Sequence, residues 1–185
     1  MLFRSIDEVI LSGGDPLLLD DARLGMLVSR LEAIAHLRRL RIHSRLPIVL
    51  PSRVTAGLAA ILGGTRLATV CVVHANHPAE IDDEVVAALG RLAAGRTILL
   101  NQSVLLAGVN DSADVLAELS GRLVDSGVVP YYLHLLDRVR GTAHFEVPED
   151  VAQRLHESLR ARLPGYAVPR LVREVPGEPA KVWLG

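Results

Sequence analysis

The single lysine of the chain is its most distinctive chemical group. Lys181 lies in the turn-rich segment 176–181, and all the other basic residues among the 20 are arginines. Only an amine can condense with a carbonyl compound to form a Schiff base, whereas a guanidinium cannot. Lys181 is therefore predicted to bind a carbonyl cofactor covalently. The alternative is an ordinary solvated lysine close to the end of the chain.

The segment Ser12-Gly13-Gly14-Asp15 directly follows the first predicted strand. Glycines allow the backbone to approach a ligand closely, and the Asp15 carboxylate can accept a hydrogen bond from an amine or a hydroxyl group. This combination predicts a cofactor-binding strand end. A tight turn in which Asp15 caps the next helix is the alternative.

Histidines and amides follow two later strands. His74 and His77 have a spacing that sometimes holds zinc, but the remaining histidines are scattered. We therefore expect no metal site and interpret one histidine as a hydrogen-bond donor to a cofactor, with a polar turn as the alternative. Gln102 could read the edge of a ligand, and Asn101 is hard to explain by packing. Asn110 is typical of an ordinary helix entry.

Two carboxylates also close predicted strands. Asp137 follows the fifth strand and Glu174 follows the sixth, so the two could converge on a cationic substrate group such as an ammonium. A surface salt bridge is the alternative for each of them, with Arg138 or Arg173 as the partner.

These groups need elements that hold them side by side. Short apolar runs alternate with helical patterns about every 30 residues, which is the rhythm of βα units around a parallel sheet. The predicted strands span residues 8–11, 40–43, 68–74, 97–102, 128–133 and 167–173. The apolar spacing predicts helices over 24–34, 55–62, 85–92, 115–123 and 151–163.

The length of the chain limits how these units can close. An eight-stranded βα barrel needs about 250 residues, whereas this chain has 185. The predicted fold class is α/β, a partial, open parallel β/α barrel in one domain spanning residues 1–185. The first strand begins almost at Met1, and an uncovered strand edge is a liability, so we expect a first βα unit upstream of it.

The composition of the chain argues against two classes of binding partner, nucleic acids and membranes. The net charge of −1 lacks the basic excess typical of nucleic-acid binding. No apolar run approaches the roughly 20 residues of a membrane helix, and no signal peptide is recognisable. A cytoplasmic protein with neither kind of partner is predicted, and a homo-oligomer is compatible with the sequence. The only cysteine, Cys71, lies in an apolar run and is expected to be a buried, inert thiol.

Five segments, in order and spacing, resemble the lysine 2,3-aminomutases, a radical S-adenosylmethionine family that also uses pyridoxal phosphate. The resemblance covers nearly the whole chain. The segments are Ser12-Gly-Gly-Asp15, the stretch 45–53 with Arg-Leu-Pro and Leu-Pro-Ser-Arg, Asn76-His-Pro-Ala-Glu-Ile81, Asn101-Gln-Ser-Val-Leu-Leu106 and Pro130-Tyr-Tyr132. Segments 136–145 and 173–181 further resemble the branch that makes (R)-β-lysine for the modification of elongation factor P.

The resemblance implies an isomerase that converts lysine to β-lysine. In the family, a radical derived from S-adenosylmethionine removes a hydrogen from lysine, and the amino group migrates while it is bound to pyridoxal phosphate. Lys181 would bind pyridoxal phosphate covalently. Asp137 and Glu174 would bind the side-chain ammonium of the lysine substrate.

The resemblance also implies a site for S-adenosylmethionine. Ser12 to Asp15, His74 and Gln102 would line that cofactor. Arg45, because of its charge and its position at a strand end, is predicted to be the basic partner of a cofactor anion.

One departure from the family concerns the iron-sulfur cluster. Family members hold a 4Fe-4S cluster with a Cys-x-x-x-Cys-x-x-Cys loop upstream of the segment matching Ser12 to Asp15. That loop is absent from these 185 residues, and Cys71 lies in a different strand. We expect the chain alone to generate no radical and interpret it as the carboxyl-terminal part of a radical aminomutase. The alternatives are a non-catalytic relict or binding module, and an unrelated phosphate-binding α/β barrel enzyme.

Overall fold

A computed structural model describes residues 5–137 and 139–185. The strands are β1 (Glu8–Leu11), β2 (Arg39–Ser44), β3 (Ala68–Val73), β4 (Ile98–Val104), β5 (Val129–His134), β6 (Arg170–Arg173) and β7 (Val182–Trp183). The helices are α1 (Asp21–Glu32), α2 (Leu46–Val49), α3 (Ala56–Gly64), α4 (Asp83–Ala94), α5 (Ala113–Asp125) and α6 (Glu149–Arg162). No helix in the described ranges has the length and apolar character needed to span a membrane.

The strands are hydrogen-bonded in chain order, from β1 at one edge of the sheet to β7 at the other. The pairs β1–β2, β2–β3 and β5–β6 are parallel, and β7 returns antiparallel to β6. Parallel neighbours joined by helices are the βα arrangement that the sequence predicts. The sheet is open, and the predicted α/β class is confirmed.

The chain divides into two compact units, the first of which contains residues 5–74 and 82–100. Every second residue of β2 is buried, and Leu40, Ile42 and Cys71 are almost fully buried. Helices α3 and α4 approach closely, since a Cβ atom added to Gly63 would lie 2.5 Å from the carbonyl oxygen of Gly95. Glycine is therefore required at this crossing.

Arg53 connects the loop after α2 to the start of α1. Its guanidinium donates to the carbonyl oxygens of Leu17 and Leu19, and it forms a 2.7 Å ion pair with Asp21. The hydroxyl of Thr55 donates to the same carboxylate at 2.6 Å. The Leu-Pro-Ser-Arg segment thus serves to fix the loops next to the strand ends of this unit.

The second unit contains residues 75–81 and 101–185. Its core is a cluster of buried aliphatic side chains, and burial of a Leu or Val side chain contributes about 1.5–3 kcal/mol. The cluster is formed by Leu105, Leu116, Leu133, Leu135, Val147, Ala152, Leu159 and Leu171. Helix α5 begins at a Ser112 cap, whose hydroxyl accepts from the Val115 N–H at 3.2 Å.

The last two strands differ from the sequence-based expectation. The predicted strand over 167–173 is shortened to β6, and a 3-10 turn covers Gly165–Ala167. Pro169, just before β6, has no N–H to donate to a neighbouring strand, which explains the late start. Strand β7 is an addition that the apolar pattern did not indicate. The single domain over residues 1–185 stays a prediction.

Candidate functional site

The three strands at the start of the chain end at one edge of the first unit. Leu11 of β1 pairs with Ile42 of β2, which pairs with Cys71 of β3. Because the strands are parallel and in register, the residues that follow them emerge side by side. The carboxyl ends of parallel strands are the usual location of ligand sites in α/β proteins.

Asp15 has a structural role at this edge. One carboxylate oxygen accepts from the Leu17 N–H at 3.0 Å and from the Ser44 hydroxyl at 2.7 Å. The other accepts from the N–H groups of Arg45 and Leu46 at 2.7 and 3.3 Å. These four protein donors make Asp15 the cap that the sequence analysis gave as its alternative. Its predicted role as a ligand contact stays a prediction.

The residues just before Asp15 leave space for a ligand. Gly13 and Gly14 adopt φ values of 84° and 52°, which side chains other than glycine rarely adopt. A Cβ atom added to either glycine would meet none of the described atoms within 4 Å. Ser12 is exposed beside them. The backbone of this turn is therefore accessible to a bound molecule.

His74 carries an unsatisfied buried nitrogen. Its Nε2 atom has no hydrogen-bond partner among the described residues, and its ring lies 5.9 Å from that of His43. Burial is the main cause that lowers the pKa of His74, which the Asp15 carboxylate opposes and the Arg45 guanidinium reinforces. A neutral imidazole with a free ring nitrogen can donate to or accept from a ligand, depending on its tautomer.

Arg45 lies at the end of β2. Its guanidinium is exposed, and its charge acts on His74 at the same edge. This placement agrees with the predicted partner for a cofactor anion, which stays a prediction.

In the second unit, Asn101 has a structural role that the sequence did not indicate. Its amide oxygen accepts from the Ala75 N–H at 2.9 Å, and its amide nitrogen donates to the Ala75 carbonyl and the Ser103 hydroxyl. Asn101 and Ser103 are buried on one face of β4, and Gln102 lies half-buried on the other. Gln102 is not part of these hydrogen bonds, and its contact with a ligand stays a prediction.

His77 and Asn110 also serve the loops of the second unit. His77 caps the 3-10 helix Pro78–Glu80 by accepting from the Ala79 N–H, while Glu80 accepts from the His77 N–H. Asn110 is fully buried and bridges residues 76, 104 and 106. The cap of α5 is Ser112, so Asn110 belongs to the loop that enters this helix and does not cap it. No group of potential metal ligands occurs among residues 5–137 and 139–185.

Lys181 is positioned by the hairpin of β6 and β7. Arg173 pairs with Val182 in this antiparallel ladder, so the next pair outward brings Glu174 opposite Lys181. The Lys181 ammonium donates to the Glu174 carboxylate and lies 5.7 Å from the centre of the Tyr132 ring. The side chain of Lys181 is 27% exposed, and that of Glu174 is 54% exposed.

The environment of Glu174 favours its charged form. The hydrogen bond from Lys181 is the largest cause that lowers the pKa of Glu174, and the charges of Lys181 and His134 add to it against the opposing effect of burial. Tyr132 and His134 lie two residues apart on β5, with ring centroids 5.6 Å apart. The sequence analysis did not single out these two residues, although their spacing along one strand face could have indicated a shared role.

A cleft of about 600 Å³ contains both candidate carboxylates of the second unit. Asp137 and Glu174 line it, together with Glu146, Arg173 and apolar residues between 135 and 176. Arg173 is paired with Glu149 at 2.6 Å, so its guanidinium is committed elsewhere. Arg138 lies outside the described residues. The cleft has the size of a small-molecule site.

Cys71 is unsuited to chemistry. Its side chain is fully buried, and burial raises the pKa of the thiol to about 12. A thiol in this state is neither a nucleophile nor a metal ligand at neutral pH. The expected buried, inert thiol is confirmed.

Comparison with known proteins found relatives that are similar in sequence. No family model matches the chain. The chain is 51% identical to the L-lysine 2,3-aminomutase of Haemophilus influenzae over 176 aligned residues. This alignment covers 95% of this chain and 52% of that protein. The Escherichia coli enzyme of the same name is 50% identical over 179 residues, 97% of this chain and 52% of its own length. The chain thus spans about half the length of the curated relatives it matches.

A solved structure supports the fold. A radical SAM methyltransferase from Sphaerobacter thermophilus superposes with a TM-score of 0.65 at 18% identity, over 91% of this chain and 51% of its own. An identity this low shows the fold alone, and the fold confirms the prediction of a partial, open barrel of the radical S-adenosylmethionine type. Over nearly its whole length, the chain is similar in sequence to these proteins named L-lysine 2,3-aminomutase.

Proposed function

We propose that this chain supplies the pyridoxal phosphate and lysine sites of a lysine 2,3-aminomutase, with Lys181 as the residue that binds the cofactor covalently. The observation that carries the proposal is the placement of the only lysine beside Glu174, at the mouth of a hairpin that also contributes to the cleft. An amine close to a cavity of about 600 Å³ fits a carbonyl cofactor of small-molecule size. Named relatives at 50–51% identity support the same reaction class.

The same cleft supports lysine as the substrate. Asp137 and Glu174 are two of its three carboxylates, the third being Glu146, and among the described residues no side chain is ion-paired with Asp137. Carboxylates that converge on one cavity bind an ammonium through charge-assisted hydrogen bonds. We propose that they hold the side-chain ammonium of lysine and so orient the carbon atoms that react.

The first unit fits a second ligand. The accessible glycine turn at Gly13 and Gly14 and the unsatisfied Nε2 of His74 can contact the polar groups of S-adenosylmethionine. The Arg45 guanidinium can approach its carboxylate. Asp15 would act indirectly by fixing this turn, since its carboxylate already has four protein donors.

The cofactors supply the difficult chemistry: pyridoxal phosphate carries the migrating amino group, and S-adenosylmethionine with a reduced iron-sulfur cluster supplies the radical. The chain's own residues bind, orient and neutralise charge. Cluster ligands must come from outside these 185 residues, because their one cysteine is buried. We further propose that the product serves the modification of elongation factor P, which Glu174 and the segment 176–181 support.

Retention of the cofactor tests this proposal. Wild-type protein incubated with pyridoxal phosphate, reduced with borohydride and denatured should keep close to one cofactor per chain. Lys181→Arg is the matched control, because arginine preserves the positive charge beside Glu174 but cannot condense with a carbonyl. Equal retention by the two proteins would refute the role of Lys181.

A further inference from the structure

The Glu174 carboxylate is a possible partner for two different ammonium groups. In the structure it is the partner of the Lys181 ammonium. Under the proposed function it also binds the side-chain ammonium of lysine. Both cations are primary ammonium groups on flexible alkyl chains, so they would make the same kind of contact with this carboxylate.

Among the described residues, Lys181 is the side chain that forms an ion pair with Glu174. The nearest basic residue in sequence, Arg173, is held by Glu149 at 2.6 Å. His134 contributes a favourable charge, but it is the smaller influence on the pKa of Glu174. If Lys181 is removed, the Glu174 carboxylate loses its ion-pair partner in a cleft that Asp137 and Glu146 also line, which favours binding of a new cation.

We propose that the Lys181 ammonium is a resident substitute for the substrate ammonium, and that attachment of Lys181 to a carbonyl cofactor releases Glu174 to bind the substrate. This inference rests on the proposed function. In the attachment step a double bond forms between Nζ and the carbonyl carbon, and the carbonyl oxygen leaves as water with two hydrogens of the ammonium. Nζ then keeps one N–H in place of three, and it is directed to the cofactor.

The consequence is an ordered site. The protein without cofactor should bind lysine poorly at this carboxylate, because the internal ammonium is tethered and competes at high effective concentration. Attachment of the cofactor to Lys181 would therefore also make the Glu174 carboxylate available to the substrate ammonium. Glu174 would then act both in positioning Lys181 and in binding the substrate.

The test uses cofactor-free protein, so it does not depend on turnover. L-Lysine is titrated into wild type and Lys181→Met by NMR, and we expect about two- to fivefold tighter binding in the variant, the range of a partly exposed ion pair. L-Norleucine, which lacks the side-chain ammonium, should show no such gain. Adding Glu174→Gln to the Lys181→Met protein should remove the gain for L-lysine.

The outcomes separate the inference from the proposed function. Unchanged L-lysine binding in both Lys181→Met and a second variant, Lys181→Gln, would overturn the exchange even if borohydride labels the wild type. An equal gain for L-norleucine would also overturn it, since the ammonium would then be irrelevant. A gain specific to L-lysine without borohydride labelling would show that Lys181 competes for Glu174 but would overturn cofactor attachment as the event that releases it.

Discussion

At the scale of single residues, the ion pair with Lys181 favours the charged form of the Glu174 carboxyl. The hydrogen bond from Lys181 is the main cause of the lowered pKa of Glu174. In Lys181→Met this pKa should rise towards its ordinary value, which NMR of the carboxyl carbon as a function of pH can measure. Lys181→Arg is the control that should keep the pKa low, and an unchanged pKa in Lys181→Met would contradict the pairing.

The same pair makes stability weakly dependent on pH. A carboxyl whose folded-state pKa is lowered stabilises the protein above its unfolded-state pKa, and the contribution is lost as the pH falls through the lowered value. Because both side chains are partly exposed, water and salt weaken this contribution.

Asp15 and His74 should respond oppositely to substitution. Removing the Asp15 carboxylate in Asp15→Ala leaves several donors without an acceptor and should lower the free energy of unfolding by about 1–3 kcal/mol. His74→Leu removes an unsatisfied buried nitrogen, so it should not reduce stability but should weaken binding of S-adenosylmethionine. Urea unfolding and equilibrium dialysis measure the two effects. A large stability loss in His74→Leu with unchanged binding would contradict this assignment.

At the scale of elements, the β6–β7 hairpin depends on its turn. Gly177 has a φ of 91°, which costs other residues about 1–2 kcal/mol. In Gly177→Val the hairpin should open more often, and exchange of the Leu184 amide hydrogen, bonded to the Leu171 carbonyl at 3.0 Å, should accelerate about five- to thirtyfold. Glu178→Ala in the same turn is the control, and equal acceleration in both variants would rule out the conformational cause.

The buried strands could be predicted from sequence, whereas the hairpin could not. Strand β3 is an almost continuous apolar run, and in β2 the buried Leu40 and Ile42 alternate with arginines, so both patterns are visible along the chain. Strand β7 has two exposed residues, and its existence depends on pairing with β6 after a proline- and glycine-containing turn. Lys181 could therefore be chosen for its chemistry, but its contact with Glu174 was not visible.

Long-range contacts also decided which polar residues are structural. Asp15 acts as a cap through Ser44 and Arg45, about 30 residues away, and only the pairing of β1 with β2 brings them together. Asn101 similarly holds the peptide of Ala75. Local sequence could not distinguish these groups from His74, whose ring nitrogen stays unsatisfied.

At the scale of the whole molecule, the chain is similar in sequence to L-lysine 2,3-aminomutases but contains a single cysteine. Anaerobic incubation of the 185-residue protein with iron and sulfide should yield no stoichiometric cluster, because the only thiol, Cys71, is buried with a pKa of about 12. Iron and sulfide analysis with electron paramagnetic resonance after reduction measures this. A cluster at one per chain would contradict the account of Cys71, and Cys71→Ala would show whether that thiol is involved.

The central claim is that Lys181 is the covalent site for pyridoxal phosphate, and peptide mapping after borohydride reduction tests it most directly. The chain has one lysine, so the only competing primary amine is that of the amino terminus. The account predicts one reduced cofactor per chain on the carboxyl-terminal peptide that contains Lys181. Label confined to the amino-terminal peptide, or no label at all, would contradict it.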